Sequence, residues 1–310
     1  MNGKKEKYAR KIIMKISRSK WIRTVDPYLA HWFNKMYFYC RVGYWPSFVR
    51  PNTFNEKISA MKIYKRDRLL AKVADKVEVR GYVREILGDE KAEEILIPLL
   101  AVAGSPEEID FHSIPGDYIV KANHGSGTNI VCTSDAPVSS EILIDICWSW
   151  LRTDYGIEKR EWCYQAIERR ILVEKLLRDE CGAIPADYKF HFSNGHCIFL
   201  QVDFDRSIDH KRTIIDPYKW EKIPVEFEYP MGPMPKKPKR LLEMLSIARK
   251  LAEPLGYARV DLYSVENHIY FGEITNYPGS GMGPFYPREY DRKFGEKIEI
   301  NNKGKNYFLK

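Results

Sequence analysis

Arg259-Val260-Asp261-Leu262-Tyr263 and, across a short turn, Tyr270-Phe271-Gly272-Glu273-Ile274-Thr275-Asn276-Tyr277-Pro278-Gly279 are two alternating apolar runs, each carrying one carboxylate. Alternation of this kind marks strands, and Glu266-Asn267-His268 between them reads as a hairpin turn. Antiparallel pairing would bring Asp261 and Glu273 to the same end of a two-stranded ribbon, beside Arg259 and a Pro-Gly corner. Such a cluster suits Mg²⁺, a hard ion that prefers carboxylate oxygen and keeps waters and substrate phosphates in its shell.

Upstream, Tyr118-Ile119-Val120-Lys121 reads as a strand that runs into Ala122-Asn123-His124-Gly125-Ser126-Gly127-Thr128 and then a second strand, Asn129 to Cys132. A strand ending in lysine and turning through small residues lets backbone N–H groups approach phosphate while the ammonium supplies a point charge. The same Gly-Ser-Gly also suits a plain hairpin loop. It is neither a Walker A loop nor a dinucleotide fingerprint, because G-x-x-x-x-G-K-[ST] and a helix-opening G-x-G-x-x-G are both absent. His124 could contact phosphate or carry a proton there, or simply be an exposed loop histidine.

At 310 residues the chain can hold one large domain or two to three lobes, with enough apolar content for a core. The six cysteines are dispersed without a C-x-x-C pair, which argues against a zinc ribbon or disulfide framework and for a reducing cytoplasm. No uncharged apolar stretch approaches the roughly 20 residues that a membrane-spanning helix needs. The net charge of +8 suggests nucleic acid until its location is read. Residues 1 to 23 hold nine Lys or Arg against the single acid Glu6, so the whole excess lies on one N-terminal arm and the remaining body is neutral. Ile12, Ile13, Ile16 and Trp21 add an apolar element to the arm, and the aromatic run Trp32, Phe33, Tyr37, Phe38, Tyr39, Tyr44, Trp45 follows it. That pattern fits an anionic membrane surface, or a solvated basic helix, better than it fits nucleic acid. The longest apolar run in the arm, Ile12 to Met14, is too short for a secretory signal.

The periodicity along the chain predicts alternating helices and strands without repeats. Thr53-Phe54-Asn55-Glu56 caps a helix through about Tyr64, and a second helix is expected from about Arg68 to Leu87, stopped by Gly88. A helix from Ser139 to Arg152 precedes a strand at Arg170 to Leu177. Asp187 to Phe192 and His196 to Val202 pair around Asn194-Gly195. Pro230 to Pro238 is a linker, followed by a helix from about Arg240 to Glu253.

In this order, Phe54-Asn55-Glu56-Lys57, Ala74-Asp75-Lys76, Lys121-Ala122-Asn123-His124-Gly125-Ser126-Gly127, Asp187-Tyr188-Lys189, Arg259-Val260-Asp261 and Gly272-Glu273 resemble the TupA-like branch of the ATP-grasp superfamily, named for teichuronopeptide synthesis. The resemblance covers about residues 50 to 300. It implies an α+β fold in which two antiparallel-sheet lobes grip ATP, preceded by a mostly helical N-terminal region. The chain then divides into a basic, aromatic arm (1–50), a helical lobe (51–117), a small lobe with the glycine loop (118–178) and a large lobe with the metal carboxylates (179–310). Lys76 and Lys121 would contact phosphates, and Gly125, Ser126 and Gly127 would form a mobile lid. In the adenine hinge, Lys175 and Leu177 would offer backbone groups, with Glu174 or Asp187 near the amino group or ribose. Asp261 and Glu273 would hold Mg²⁺. Amide-forming relatives place an asparagine two residues after the second carboxylate, where this chain has Thr275, with Asn276 one residue late; the third ligand is therefore Thr275 or Asn276.

The activity implied is ATP-dependent joining of a carboxylate to an amine through an acyl phosphate, with Arg259, Lys121 and Lys189 as the catalytic cations. A second reading is a metal-dependent glycosyltransferase using the D-x-D at Asp203 and Asp205. The basic segment Asp205 to Trp220, with Arg206, His210, Lys211 and Arg212, could receive an anionic sugar or uronate. Trp162, Tyr164 and Trp220 could stack on sugar faces. The partners expected are an anionic glycan or uronate and an amine donor, without nucleic acid. The location expected is cytoplasmic, at the inner membrane face if the arm binds lipid.

Overall fold

The computed structural model describes residues 27–157, 159–204 and 209–300. The basic arm, Asp205 and Arg206 lie outside the described residues. Among the described residues five helices come first: α1 (Pro27–Val42), α2 (Phe54–Tyr64), α3 (Arg68–Ala74), α4 (Glu78–Leu87) and α5 (Asp89–Ile95). Thr53 and Glu56 cap α2 reciprocally, as their spacing predicts: the Thr53 hydroxyl accepts from the Glu56 amide, and the Glu56 carboxylate accepts from the Thr53 amide.

The single helix expected from Arg68 to Leu87 is broken at Asp75 and Lys76. Asp75 leaves the helical region, at φ −81° and ψ 117°, and its carboxylate accepts from the amides of Val77 (2.8 Å) and Glu78 (3.4 Å). A side-chain oxygen that satisfies the first amides of a new helix competes with continuation of the old one. The Lys76 amide is thereby free to donate to the Asn123 carbonyl, which ties the break to the glycine loop.

Next come β1 (Leu99–Ala103), β2 (Tyr118–Ala122), β3 (Asn129–Cys132), α6 (Ser140–Leu151), α7 (Trp162–Gln165) and β4 (Ile171–Lys175). The four strands form one antiparallel sheet in the order β1-β4-β2-β3. Val120, Ile171 and Val173 on one face pack against Leu143, Cys147 and Leu151 of α6. Ile119 and Lys121 alternate onto the other face, which leaves them for the cleft.

The rest of the chain supplies β5 (Asp187–Ser193), β6 (His196–Phe204), β7 (Lys211–Asp216), β8 (Glu221–Lys222), β9 (Glu226–Phe227), α8 (Leu241–Ala252), β10 (Tyr257–Val265), β11 (His268–Thr275), β12 (Phe285–Tyr286) and α9 (Glu289–Glu296). A six-stranded sheet runs β11-β10-β5-β6-β7-β8. Its apolar face buries Phe190, Leu200, Val202, Val260 and Leu262 against Met244, Ala248 and Leu251 of α8. The two predicted tight turns have the left-handed residues a two-residue hairpin loop requires: Asn194 and Gly195 at φ 46° and 78°, Glu266 and Asn267 at φ 47° and 67°. All six cysteines are free, five of them buried. Among the described residues no helix is long and apolar enough to cross a membrane.

Candidate active site

In the β10–β11 ladder Asp261 stands directly opposite Glu273, while Leu262 stands opposite Phe271. Gly272 is therefore the extra residue of a bulge. The bulge resets the alternation so that Glu273 faces the same side as Asp261 instead of following Phe271 to the core. A Cβ at Gly272 would lie 3.0 Å from the Tyr263 ring and 3.1 Å from the Asp261 carbonyl, so a side chain here would require those neighbours to give by a few tenths of an ångström.

Across β10 and β5, Asp261 pairs with Lys189 and Arg259 with His191. The Lys189 ammonium is buried between Asp187 and Asp261, reaching the latter at 2.7 Å. Arg259 grips both oxygens of Asp261, at 2.7 and 2.6 Å, and reaches Glu273 at 2.7 Å. The Thr275 hydroxyl donates to the same Glu273 oxygen at 3.2 Å. Burial opposes charge on the Glu273 carboxyl, but Arg259, Lys76 and Lys189 outweigh it and hold that group below the usual carboxylate range. Burial likewise opposes the Arg259 charge; Asp261 and Glu273 outweigh it and tighten its hold on its proton.

A cleft of about 870 Å³ separates this face from the four-stranded sheet. It is lined by Lys76, Lys121, Ser126, Gly127, Glu174, Asp187, Lys189 and Glu273, so the lysine loop and the carboxylate hairpin share one cavity. Lys121 crosses from β2 to Glu174 at 2.7 Å, and Arg80 reaches the other Glu174 oxygen at 3.3 Å. Lys76 donates to the Gly125 carbonyl at 2.5 Å, and burial lowers its pKa from the ordinary lysine value. Gly125 itself, at φ 94°, packs so closely on Tyr155 that a Cβ would meet the ring at 2.7 Å. Ile119, Val131, Ile184 and Phe271 give the cleft apolar wall.

Of the other sequence-predicted residues Asp203 also lines the cleft, and the rest are placed as follows. Asn276 is buried: its amide nitrogen donates to the Leu70 carbonyl at 2.8 Å, and its side-chain oxygen has no hydrogen-bond partner among the described residues. Thr275 is the residue on the carboxylate face. Lys175 is exposed at the end of β4 with its amide donating to the Pro98 carbonyl, and neither it nor Leu177 lines the cleft. His124 is 2 % exposed, with burial and then Arg169 lowering its pKa, so it is not an exposed loop histidine. Arg212 is bound by Asp203 at 2.6 Å and Glu228 at 2.8 Å, so it is not offered to a sugar acid, and Asp203 is held in turn by Gln201. Tyr164 is edge-on to Tyr155, and Trp162 and Trp220 pack on the core. Arg80 joins the site without a motif of its own; its sequence signal is the N-cap pattern of Asp75 and Glu78, which starts a new helix with Arg80 one turn after Lys76.

The donors fit magnesium nucleotide. Asp187, Asp261, Glu273 and Thr275 offer only oxygen, and cations flank them on both sides of the cleft. Among the described residues no group of three or more His, Cys, Asp or Glu is arranged to hold a metal ion by itself. A site with two facing carboxylates matches an ion that completes its shell with phosphate oxygens and water.

Two antiparallel sheets closing on a cleft, with lysines and a glycine loop on one and paired carboxylates on the other, are an ATP-grasp fold. The chain belongs to the TupA-like ATP-grasp family, which it matches over residues 56–299. No curated protein matches the sequence. Among solved structures it is similar to a D-alanine–D-alanine ligase from Bacillus anthracis complexed with ATP, at 14% identity and TM-score 0.43 over 74% of this chain and 66% of that one. It is also similar to a D-alanine–D-alanine ligase from Helicobacter pylori (16%, TM-score 0.43, 80% and 70%) and an L-amino acid ligase from Bacillus licheniformis (12%, TM-score 0.47, 79% and 54%). The chain thus spans 66% and 54% of the length of the first and last of these. At such identities and TM-scores the likeness says nothing of substrate.

Proposed function

We propose that the protein is an ATP-dependent carboxylate–amine ligase that works through an acyl phosphate in the assembly of a bacterial surface polysaccharide or teichuronopeptide. The observation that carries this reading is Glu273, opposite Asp261 in the hairpin, sharing one cleft with Lys76 and Lys121. In it, Lys121 leaves Glu174 for phosphate, Lys76 adds a second cation, and the apolar wall of Ile119, Val131 and Ile184 receives the base. Magnesium held by Asp261 and Glu273, with Thr275 beside them, supplies charge neutralisation at the phosphates when bound.

A substrate carboxylate oxygen attacks the γ-phosphorus and ADP leaves; an amine nitrogen then attacks the acyl carbon, phosphate leaves, and the amine proton passes to solvent. Arg259 and Lys189 offset charge on the transferring group, and the loop from Gly125 to Gly127 excludes water from the acyl phosphate. The acceptor proposed is a glycan uronate, with an amino acid or amino sugar as donor. The arm of residues 1 to 23 is proposed to bind anionic lipid. Purified protein with Mg-ATP is expected to release ADP and phosphate when a uronic acid and an amine are both added. Release of UDP from a UDP-sugar without ATP would reverse the assignment in favour of sugar transfer.

A further inference from the structure

Glu174 holds two cations on separate oxygens: Oε2 accepts from Lys121 at 2.7 Å and Oε1 from Arg80 at 3.3 Å. The two donors come from different parts of the chain. In the small sheet Glu174 stands opposite Ile119, which sets Lys121, two residues further along β2, on the diagonal and on the same face. Arg80 is the third residue of α4, the helix that begins after the break at Asp75 and Lys76. That break therefore brings two cations to the cleft, Lys76 and, one turn later, Arg80. Both line it together with Lys121 and Glu174.

This sharing bears on how Lys121 becomes available to phosphate. The Glu174 and Arg80 side chains are only 10% and 11% exposed, and that of Lys121 is 20% exposed. A carboxylate at that depth is costly to leave without a cation. With Lys121 as its sole partner, moving the ammonium to phosphate would strand Glu174, and the cost would be subtracted from the affinity for ATP. Arg80 sits on the other oxygen and is anchored from the helical lobe, so it stays when Lys121 moves. Burial lowers the Arg80 pKa, and Glu174 is the largest pull against that effect, so each group steadies the charge of the other.

We propose that Arg80 is a positioning residue for ATP: it keeps a counter-charge on Glu174 so that Lys121 is released to the phosphates. The proposal rests on the reading of Lys121 as a phosphate ligand and adds what frees that lysine. Without Arg80, Lys121 stays committed to Glu174, and the loss falls on phosphate-bearing ligands alone.

The test is titration calorimetry of the full chain with Mg-ATP and with adenosine. Arg80→Met is expected to weaken ATP binding about tenfold and to leave adenosine binding within about twofold. Glu174→Gln removes the charge that retains Lys121, so adding Arg80→Met in that background is expected to change ATP affinity by less than about twofold. The same tenfold loss in both backgrounds would overturn the proposal, because Arg80 would then contact the nucleotide itself. A parallel loss for adenosine would overturn it as well, by reducing Arg80 to general support of the cleft. Lys121→Met separates the two ideas. If it weakens ATP binding while Arg80→Met does not, the role of Arg80 falls and the phosphate reading of Lys121 stands; if Lys121→Met binds ATP as the unaltered chain does, both fall.

Discussion

Asp261 and Glu273 occupy facing positions in the β10–β11 register, yet they live in different surroundings: the Asp261 side chain is 1% exposed and that of Glu273 37%. The buried acid is clamped by Arg259 and Lys189, whereas the outer one shares Arg259 and opens onto the cleft. This asymmetry separates two roles that a sequence pattern would treat as equivalent.

Asp261→Asn and Glu273→Gln are each expected to lower Mg-ATP turnover at least about 100-fold, the scale for removing a preorganised charge from a transferring group. Their effects on stability should differ. Asp261→Asn leaves two buried cations without their shared counter-charge, a loss on the order of 3–5 kcal/mol. Urea unfolding should therefore reveal a large drop for Asp261→Asn and a small one for Glu273→Gln. Equal drops would contradict the clamp.

Lys121 makes a charge-assisted bond to Glu174 across the small sheet and faces the cleft. In the proposed reaction it exchanges that partner for phosphate. Lys121→Met removes a bond of roughly 1.5–3 kcal/mol, so ATP affinity is expected to fall about 10- to 100-fold while binding of adenosine changes little. Titration calorimetry with both ligands checks this; a parallel loss for adenosine would place the lysine outside the phosphate site.

At Gly125 the loop after β2 is both left-handed and pressed on the Tyr155 ring. Gly125→Ala adds a methyl where the ring already stands, in a backbone region alanine resists. The variant is expected to raise the KM for ATP several-fold with a small loss of stability. Tyr155→Ala in the same chain should recover part of that loss by clearing the ring. No recovery would mean that the backbone conformation alone sets the effect.

Local signals carried much of the fold. The capping box at Thr53, the turns at Asn194-Gly195 and Glu266-Asn267, and the alternation around Asp261 are short-range features, and the structure has all of them. What escaped depends on contacts distant in sequence. The run from Arg68 to Leu87 keeps helical periodicity throughout, which masks the local cap of Asp75 on Val77 and Glu78; the bond from the Lys76 amide to Asn123, far along the chain, then ties the break to the cleft. Alternation puts Thr275 on the Glu273 face, whereas the hold of the Leu70 carbonyl in α3 on the Asn276 amide is supplied from far along the chain. Arg212 read as a substrate cation because its partners, Asp203 and Glu228, are supplied by strand pairing and by a segment beyond β9.

A buried lysine outside the cleft gives the last prediction. Lys62, 1% exposed on α2, donates to the carbonyl and hydroxyl of Ser280 at 2.7 and 2.9 Å in the left-handed corner after β11. Burial lowers its pKa from the ordinary 10.5 to about 8, against a partial opposing pull from Glu161. Because the folded value lies below the unfolded one, between about 8 and 10.5 the unfolded chain binds the extra proton. Stability from this group therefore rises with pH across that window and is constant below it. Relative to Lys62→Met, in which other titrations cancel, the unaltered chain should gain about 3 kcal/mol between pH 7 and pH 10.5. Urea unfolding of both proteins at several pH values measures the difference, and parallel curves would mean that the Lys62 ammonium is not destabilised by its burial.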